Sequence, residues 1–343
     1  MRLSMKLGYN DGFRNAAERA AVYEEHGVDV FWTAEAYGFD SATQLGYLAA
    51  KTKRAQIGSG ILPIYSRTPA LLAQTAAGLD DLSEGRAILG LGASGPQVIE
   101  GWHGVPYDHP VQRTREIMEI CRMLWRRDVV QYDGRCYKLP LPPEHGTGLG
   151  KPLKILTHPR RARIPIYLAS LGERSVELTA ELAEGWLPIF FFPEKVDAMW
   201  GESLRRGLAK RAPELGQLEI VAGGQLAIGD GLEHLRDRER PHVALYVGGM
   251  GARGKNFYND LVSKYGYADE AKQIQDLYLS GQKQAAAELV PASLLEGLSL
   301  IGPAGYVKDR IAAFKAAGVT ALDVHPVGPD PLGDLEQVKE WIS

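Results

Sequence analysis

The chain has 343 residues, 45% of them hydrophobic, enough for one large core or two small ones. Its formal net charge of −3 leaves no basic excess for nucleic acid or an anionic membrane, and no apolar run reaches the length of a membrane span. Cys121 and Cys136 are its only cysteines and have no metal-like spacing, which argues against a disulfide framework or zinc site and for a reducing cytoplasm.

Strand and helix patterns then alternate along the chain. The N-terminus lacks the apolar core of a signal peptide and reads as a first strand over 3–9, followed by a helix over 15–26 closed by Gly27. Strand two covers 28–33 with its helix at 41–53; strand three covers 55–62, and Thr68-Pro69 marks the start of the next helix. Strand four is expected at 86–91, a strong helix at 111–127, strands five and six at 164–169 and 186–191, and between them a helix at 173–184. Strand seven spans 218–228, and strand eight spans 321–325 after a helix at 304–317 that Gly318 ends. Eight such units close into a single (β/α)8 TIM-type barrel covering 1–343.

Two stretches exceed what a crossover needs. Residues 129–158 contain an Asp133-Gly134 turn between short strand-like runs, a hairpin candidate leading into the proline-rich loop 139–143. Residues 231–298 are polar and helical in pattern, interrupted by Gly248-Gly249-Met250-Gly251, and suggest a helical lid between strands seven and eight. No low-complexity linker sets this segment apart as a second domain.

Functional groups of such a barrel lie at the C-terminal ends of its strands. Those positions hold Tyr9 and Asn10; Glu35, Ala36 and Tyr37; Gly60, Ile61 and Leu62; Gly92, Ala93 and Ser94; Ala169, Ser170, Leu171 and Gly172; Pro188 and Ile189; and His325. The set contains no nucleophile triad, helically spaced carboxylate pair, Walker-type loop or metal-ligand cluster. A rim made of backbone and small side chains implies that a bound organic cofactor carries the chemistry. Ala169 to Gly172 precede a helix, so their amides and the Ser170 hydroxyl suit a phosphate, with helix capping as Ser170's alternative role. Glu35 is a candidate proton donor or substrate-orienting group, with a surface ion pair as its alternative. His325 can polarise a carbonyl or serve only in packing. Trp102, His103 and Tyr107 are candidate pocket walls, with core packing the alternative for Trp102. Arg253 and Lys255 follow flexible glycines and precede a helix, where they either meet an anionic ligand or stay solvated.

Three runs in order, Gly58-Ser59-Gly60-Ile61-Leu62-Pro63 with Tyr65-Ser66-Arg67-Thr68-Pro69-Ala70, then Gly85-Arg86-Ala87-Ile88-Leu89-Gly90-Leu91-Gly92, then Ala180-Glu181-Leu182-Ala183-Glu184-Gly185-Trp186, resemble the bacterial luciferase-like superfamily. Within it the chain most resembles the branch that uses the deazaflavin coenzyme F420, typified by methylenetetrahydromethanopterin reductase. The resemblance covers nearly the whole chain and implies the same barrel. It implies a non-prolyl cis peptide at Gly60-Ile61 behind the cofactor ring, Asn10 and Gly92-Ala93-Ser94 beside the cofactor, its phosphate near Ala169 to Gly172, and Arg253 and Lys255 toward its anionic tail. Ala36 stands where the glucose-6-phosphate dehydrogenase branch has a catalytic histidine, which argues against that activity. The expected function is F420-dependent oxidoreduction of a small organic substrate by hydride transfer. An FMN-dependent monooxygenase is the alternative, and a catalytically silent deazaflavin-binding protein is the third reading. A homodimer with no nucleic-acid or membrane partner is expected.

Overall fold

Short apolar strands alternating with helices produce a closed parallel ring in the computed structural model, which describes residues 1–8 and 12–343. In chain order the strands are β1 (Arg2–Leu7), β2 (Val30–Thr33), β3 (Gln56–Ser59), β4 (Leu62–Pro63), β5 (Ala87–Gly92), β6 (Tyr132–Asp133), β7 (Lys138–Leu139), β8 (Ile166–Ala169), β9 (Gly185–Trp186), β10 (Glu219–Ile228), β11 (Leu300–Gly302) and β12 (Ala321–Pro326). The barrel runs β1-β2-β3-β5-β8-β9-β10-β12 and closes where Ser4 of β1 pairs with Asp323 of β12. Helix starts follow the sequence signals: Thr68 accepts from the Leu71 amide at 3.2 Å ahead of Pro69, and Asp40 accepts from the Thr43 amide at 2.7 Å.

Side chains on alternate residues point into the ring. Trp32 lies against Gly58, where a Cβ would collide with the indole, and beside Tyr167 with ring centroids 5.5 Å apart. Val30, Ile88, Val221 and Ala321 complete this buried layer. Beneath it Arg2 donates to the Tyr167 hydroxyl at 3.1 Å and pairs with Gln56 and Glu219, so the N-terminal end of the barrel is plugged by a satisfied polar layer. The other end is open.

Several expected boundaries shift for identifiable reasons. Strand three stops at Ser59; the Gly60-Ile61 peptide is cis, as the family resemblance implied, and Leu62–Pro63 re-pairs with β5. Strand six is only Gly185–Trp186, because Phe190 adopts a left-handed φ of 52° while Phe191 packs among Trp186, Trp200 and Phe314. Leu300–Gly302 is a strand that the sequence reading left unassigned between the helical insertion and the helix at 304. It pairs with Leu226–Ile228 at the end of the long β10, which runs on well past Glu219–Ile220, the residues that pair with β9. In 129–158 the hairpin is the two-residue pair β6–β7, anchored by Glu116, whose carboxylate accepts the amides of Arg135, Cys136 and Tyr137 at 2.8, 2.9 and 2.9 Å. Residues 231–298 are helical as expected, but Gly248 and Gly249 are not flexible punctuation. They lie in the turn Leu245–Gly249, pressed against the Tyr278 ring.

Two consequences can be checked by thermal melts. A Cβ at Gly90 would overlap the Ser59 carbonyl oxygen, and Ser59 Oγ both donates to the Gly90 carbonyl (2.7 Å) and accepts its amide (3.0 Å). Gly90→Ala should therefore cost about 1–3 kcal/mol and lower Tm by several degrees; an unchanged Tm would contradict this close approach of β3 and β5. Asp334, in the first turn of the helix Pro331–Ile342, is 6% exposed with Oδ2 unpartnered, and burial pushes its pKa up to about 6. Because the folded value lies above the unfolded one, this carboxyl is best tolerated at acid pH, and stability is lost as pH rises from about 4 through about 6. Asp334→Asn should stabilise the protein by about 1 kcal/mol above pH 7, with the difference vanishing near pH 4.

Candidate active site

A cavity of about 620 Å³ opens at the C-terminal ends of the strands. Its two sides differ in chemistry. The ends of β3, β5 and β8 contribute Gly60, Gly92, Ala93 and Ala169 together with Ile61, Leu91 and Leu168, a surface of small and aliphatic residues without charge. The opposite wall carries Lys6, Trp32, Val221 and Asp323 from β1, β2, β10 and β12. Tyr246 and Tyr258, whose rings meet edge-on at 4.7 Å, reach in from the helical insertion, and Tyr107 closes a third side. Tyr107 is held by Tyr65, 5.1 Å away, and by its hydroxyl at 3.4 Å from the Ser94 carbonyl; Arg113 lies over the Tyr65 ring and donates to Asp108 at 2.5 Å. Burial raises the pKa of the Tyr107 and Tyr258 phenols, so both remain neutral.

The loop after β8 is built to present amides. The Trp186 indole donates to the Ser170 carbonyl at 2.9 Å, and the Trp200 indole to the Leu171 carbonyl at 2.8 Å. In a trans peptide the N–H points opposite to the C=O, so the Leu171 and Gly172 amides face away from the two tryptophans. The helix Glu173–Leu182 starts directly after them at Gly172 without a side-chain cap, and its first amides paired back into the helix are those of Ser175 and Val176. Free N–H groups and the positive end of a ten-residue helix therefore converge on the cavity. Ser170 does not cap this helix; its hydroxyl sits 2.8 Å from Thr179 Oγ1.

The structure gathers Gly60, Ile61, Gly92, Ala93, Ser94, Ala169, Ser170, Leu171 and Gly172 around this one cavity. Asn10 lies outside the described residues. Glu35 is absent from the cavity lining: Arg67 donates to it bidentately at 2.6 and 2.8 Å, the Ser41 amide donates at 2.9 Å, and Asp40 shares the same guanidinium. His325 stands just beyond the lining, with Nε2 3.7 Å from Asp323 Oδ2, and desolvation lowers its pKa so that the neutral ring prevails near pH 7. Arg253 points elsewhere, paired with Asp276 at 2.9 Å, and neither it nor Lys255 lines the cavity; Arg174 and Lys264 do. Trp102 is 66% exposed rather than core. Lys6, Trp32 and Asp323 lie within strands rather than at the strand-end positions considered above, and two-residue alternation along β1, β2 and β12 turns all three inward. Tyr246, Tyr258 and Lys264 come from the insertion, where local sequence gives no register with the barrel.

A family model described as luciferase-like monooxygenase matches residues 1–321. The chain belongs to that family. It is 40% identical over 99% of both chains to a Mycobacterium tuberculosis protein provisionally named as a coenzyme F420-dependent oxidoreductase. It is 28% identical to a 5,10-methylenetetrahydromethanopterin reductase of Archaeoglobus fulgidus, over 93% of this chain and 92% of the relative. The fold superposes on the coenzyme F420-dependent tetrahydromethanopterin reductase of Methanopyrus kandleri with a TM-score of 0.82, at 22% identity, over 99% of this chain and 98% of that one. Among the described residues no cluster of ligating side chains could hold a metal ion, and no helix is long and apolar enough to cross a membrane.

The Glu35–Arg67 pair yields a direct check. Glu35→Gln removes the charge that balances a mostly buried guanidinium and should lower stability by about 2 kcal/mol in a thermal melt, while ligand affinity in the cavity stays within about twofold. Activity lost at an unchanged Tm would instead place Glu35 in the chemistry.

Proposed function

We propose that this luciferase-like family member is a coenzyme F420-dependent oxidoreductase that transfers a hydride to or from a small organic molecule. The observation that carries the reading is the amide cradle of Leu171 and Gly172 at an uncapped helix start, adjoining strand ends that offer mainly backbone and small side chains. A phosphate-bearing, flat cofactor fits both features: the cradle takes the phosphate, and Gly60, Ile61, Gly92 and Ala93 take a ring. When bound, the deazaflavin supplies a two-electron centre restricted to hydride transfer and slow to react with oxygen.

The chain's own contribution is position and dryness. Tyr107, Tyr246 and Tyr258 wall the cavity with aromatic rings, and the Tyr107 and Tyr258 phenols are neutral, which limits water around the reacting atoms. Neutral His325 lies behind the polar wall, with Nε2 3.7 Å from Asp323 Oδ2, and can act on a ligand only through that carboxylate. Arg174 and Lys264 line the cavity, where Arg253 and Lys255 do not, and would be the cations to meet an anionic portion of the cofactor. FMN also carries a phosphate and a flat ring, so the cradle alone does not separate the two cofactors; relatives named for coenzyme F420 favour the deazaflavin.

Fluorescence titration with coenzyme F420 and with FMN tests this. Wild-type protein should bind coenzyme F420 more tightly than FMN. Ser170→Asp should weaken that binding at least tenfold, about 1.4 kcal/mol, with little change in Tm, because a carboxylate beside the cradle repels a phosphate. Replacing Arg174 and Lys264 together by glutamate should weaken it more at low than at high salt, whereas the same change at Arg253 and Lys255 should have no effect. Tighter FMN binding would transfer the reading to the monooxygenase branch, and tight binding without turnover of any substrate would support a silent binding protein.

A further inference from the structure

The wall opposite the glycine-rich strand ends contains a hydrogen-bond donor that the fold leaves unused. Trp32 is 1% exposed and lines the cavity, yet its Nε1 is buried with no partner among the described residues. Such an orphaned donor costs free energy unless something else accepts its proton. Its direction follows from packing. The Cε3–Cζ3 edge of the indole lies over Gly58 of β3. The pyrrole edge is on the other side of the ring and therefore faces β1 and β12, where Lys6 and Asp323 also line the cavity. The ring cannot easily turn away, because Gly58 packs against it and so does Tyr167, whose hydroxyl Arg2 holds in turn.

The neighbouring groups define what fits. Asp323 is 8% exposed; its Oδ1 accepts from Ser4 Oγ at 2.9 Å, and its Oδ2 faces His325 at 3.7 Å. Lys6 and Asp323 bring opposite charges to the same wall. An anionic ligand group would meet the Asp323 carboxylate and a cationic one the Lys6 ammonium, whereas a neutral oxygen acceptor satisfies the indole without adding a charge.

We infer that Trp32 Nε1, flanked by Lys6 and Asp323, is a binding subsite for a neutral carbonyl oxygen at the floor of the cavity. Two molecules can supply that oxygen: the organic substrate, or a ring carbonyl of the cofactor in the reading proposed above, on which only this second source depends. In either case the subsite fixes how deep the ligand sits and which way its carbonyl points, which makes Trp32 a positioning residue.

The test reads the indole protons directly. The chain has six tryptophans, so the proton–nitrogen spectrum of the uniformly labelled full-length protein contains six indole signals. The Trp32 signal is identified by its loss in Trp32→Phe or, should that variant not fold, by nuclear Overhauser contacts to the Tyr167 ring. Three probes are added separately: cyclohexanone, cyclohexanecarboxylate and coenzyme F420, with cofactor binding followed independently by fluorescence. The Trp32 indole proton should move downfield with cyclohexanone, with coenzyme F420 or with both, and should not respond to the carboxylate. Affinity for the responding probe should fall about fivefold in Trp32→Phe. A response to the ketone alone assigns the subsite to substrate, and a response to the cofactor alone assigns it to the ring carbonyl. No response to either at the highest attainable concentration, while fluorescence shows the cofactor bound, overturns the subsite and leaves the proposed function standing. A ketone response without any cofactor binding supports the subsite and removes the function. A response to the carboxylate equal to that of the ketone overturns the choice of a neutral oxygen.

Discussion

Trp32 lies on the bare Cα of Gly58, and that contact sets the depth of everything above it. A barrel of eight strands is just wide enough for side chains to fill. Here the lower part is filled by one indole, Tyr167 and a few aliphatic residues, sealed by the Arg2–Gln56–Glu219 layer. With any residue larger than glycine at position 58 the indole would have to rise, and the cavity would lose its floor. Because the filling ends at Trp32, the strand ends above it remain open and about 620 Å³ of space is left.

The space above that floor has two unlike halves. On the β3–β5–β8 side the inward positions are Gly60, Gly92 and Ala169, so a flat molecule can approach the backbone. On the β12–β1–β2 side the inward positions are Asp323, Lys6 and Trp32, which offer charge and hydrogen bonds. The amide cradle at Gly172 lies on the first side, held open by two indoles that occupy the carbonyls on its far face. A ligand with an anionic end and a flat end is therefore oriented before any side chain moves, which lowers the ordering cost of binding.

Much of this was legible from residue order. The Thr68-Pro69 helix start, the glycine-ended runs at Gly60 and Gly92, and the loop Ala169 to Gly172 follow from local rules, and the structure places these strand-end residues around one cavity. The family resemblance supplied the cis Gly60-Ile61 peptide, which local rules did not. What local rules missed depends on contacts between distant segments. Glu35 reads as a free strand-end acid until Arg67 folds onto it from 32 residues away. Arg253 reads as a mouth cation until Asp276 takes it. The alternative role of Ser170 as a helix cap is excluded only once Thr179, nine residues on, is seen to bind its hydroxyl. The strand Leu300–Gly302 is too short to show a period and forms where β10 runs on past its short pairing with β9.

The central claim is that the cradle at Leu171 and Gly172 holds the phosphate of a deazaflavin whose ring rests on the glycine-rich strand ends. A crystal structure of the protein with coenzyme F420 tests it most directly. The phosphate should lie within hydrogen-bond distance of the Leu171 and Gly172 amides, with the ring against Gly60, Ile61, Gly92 and Ala93. A phosphate bound at any other helix start, or a ring lying outside the cavity, would contradict it.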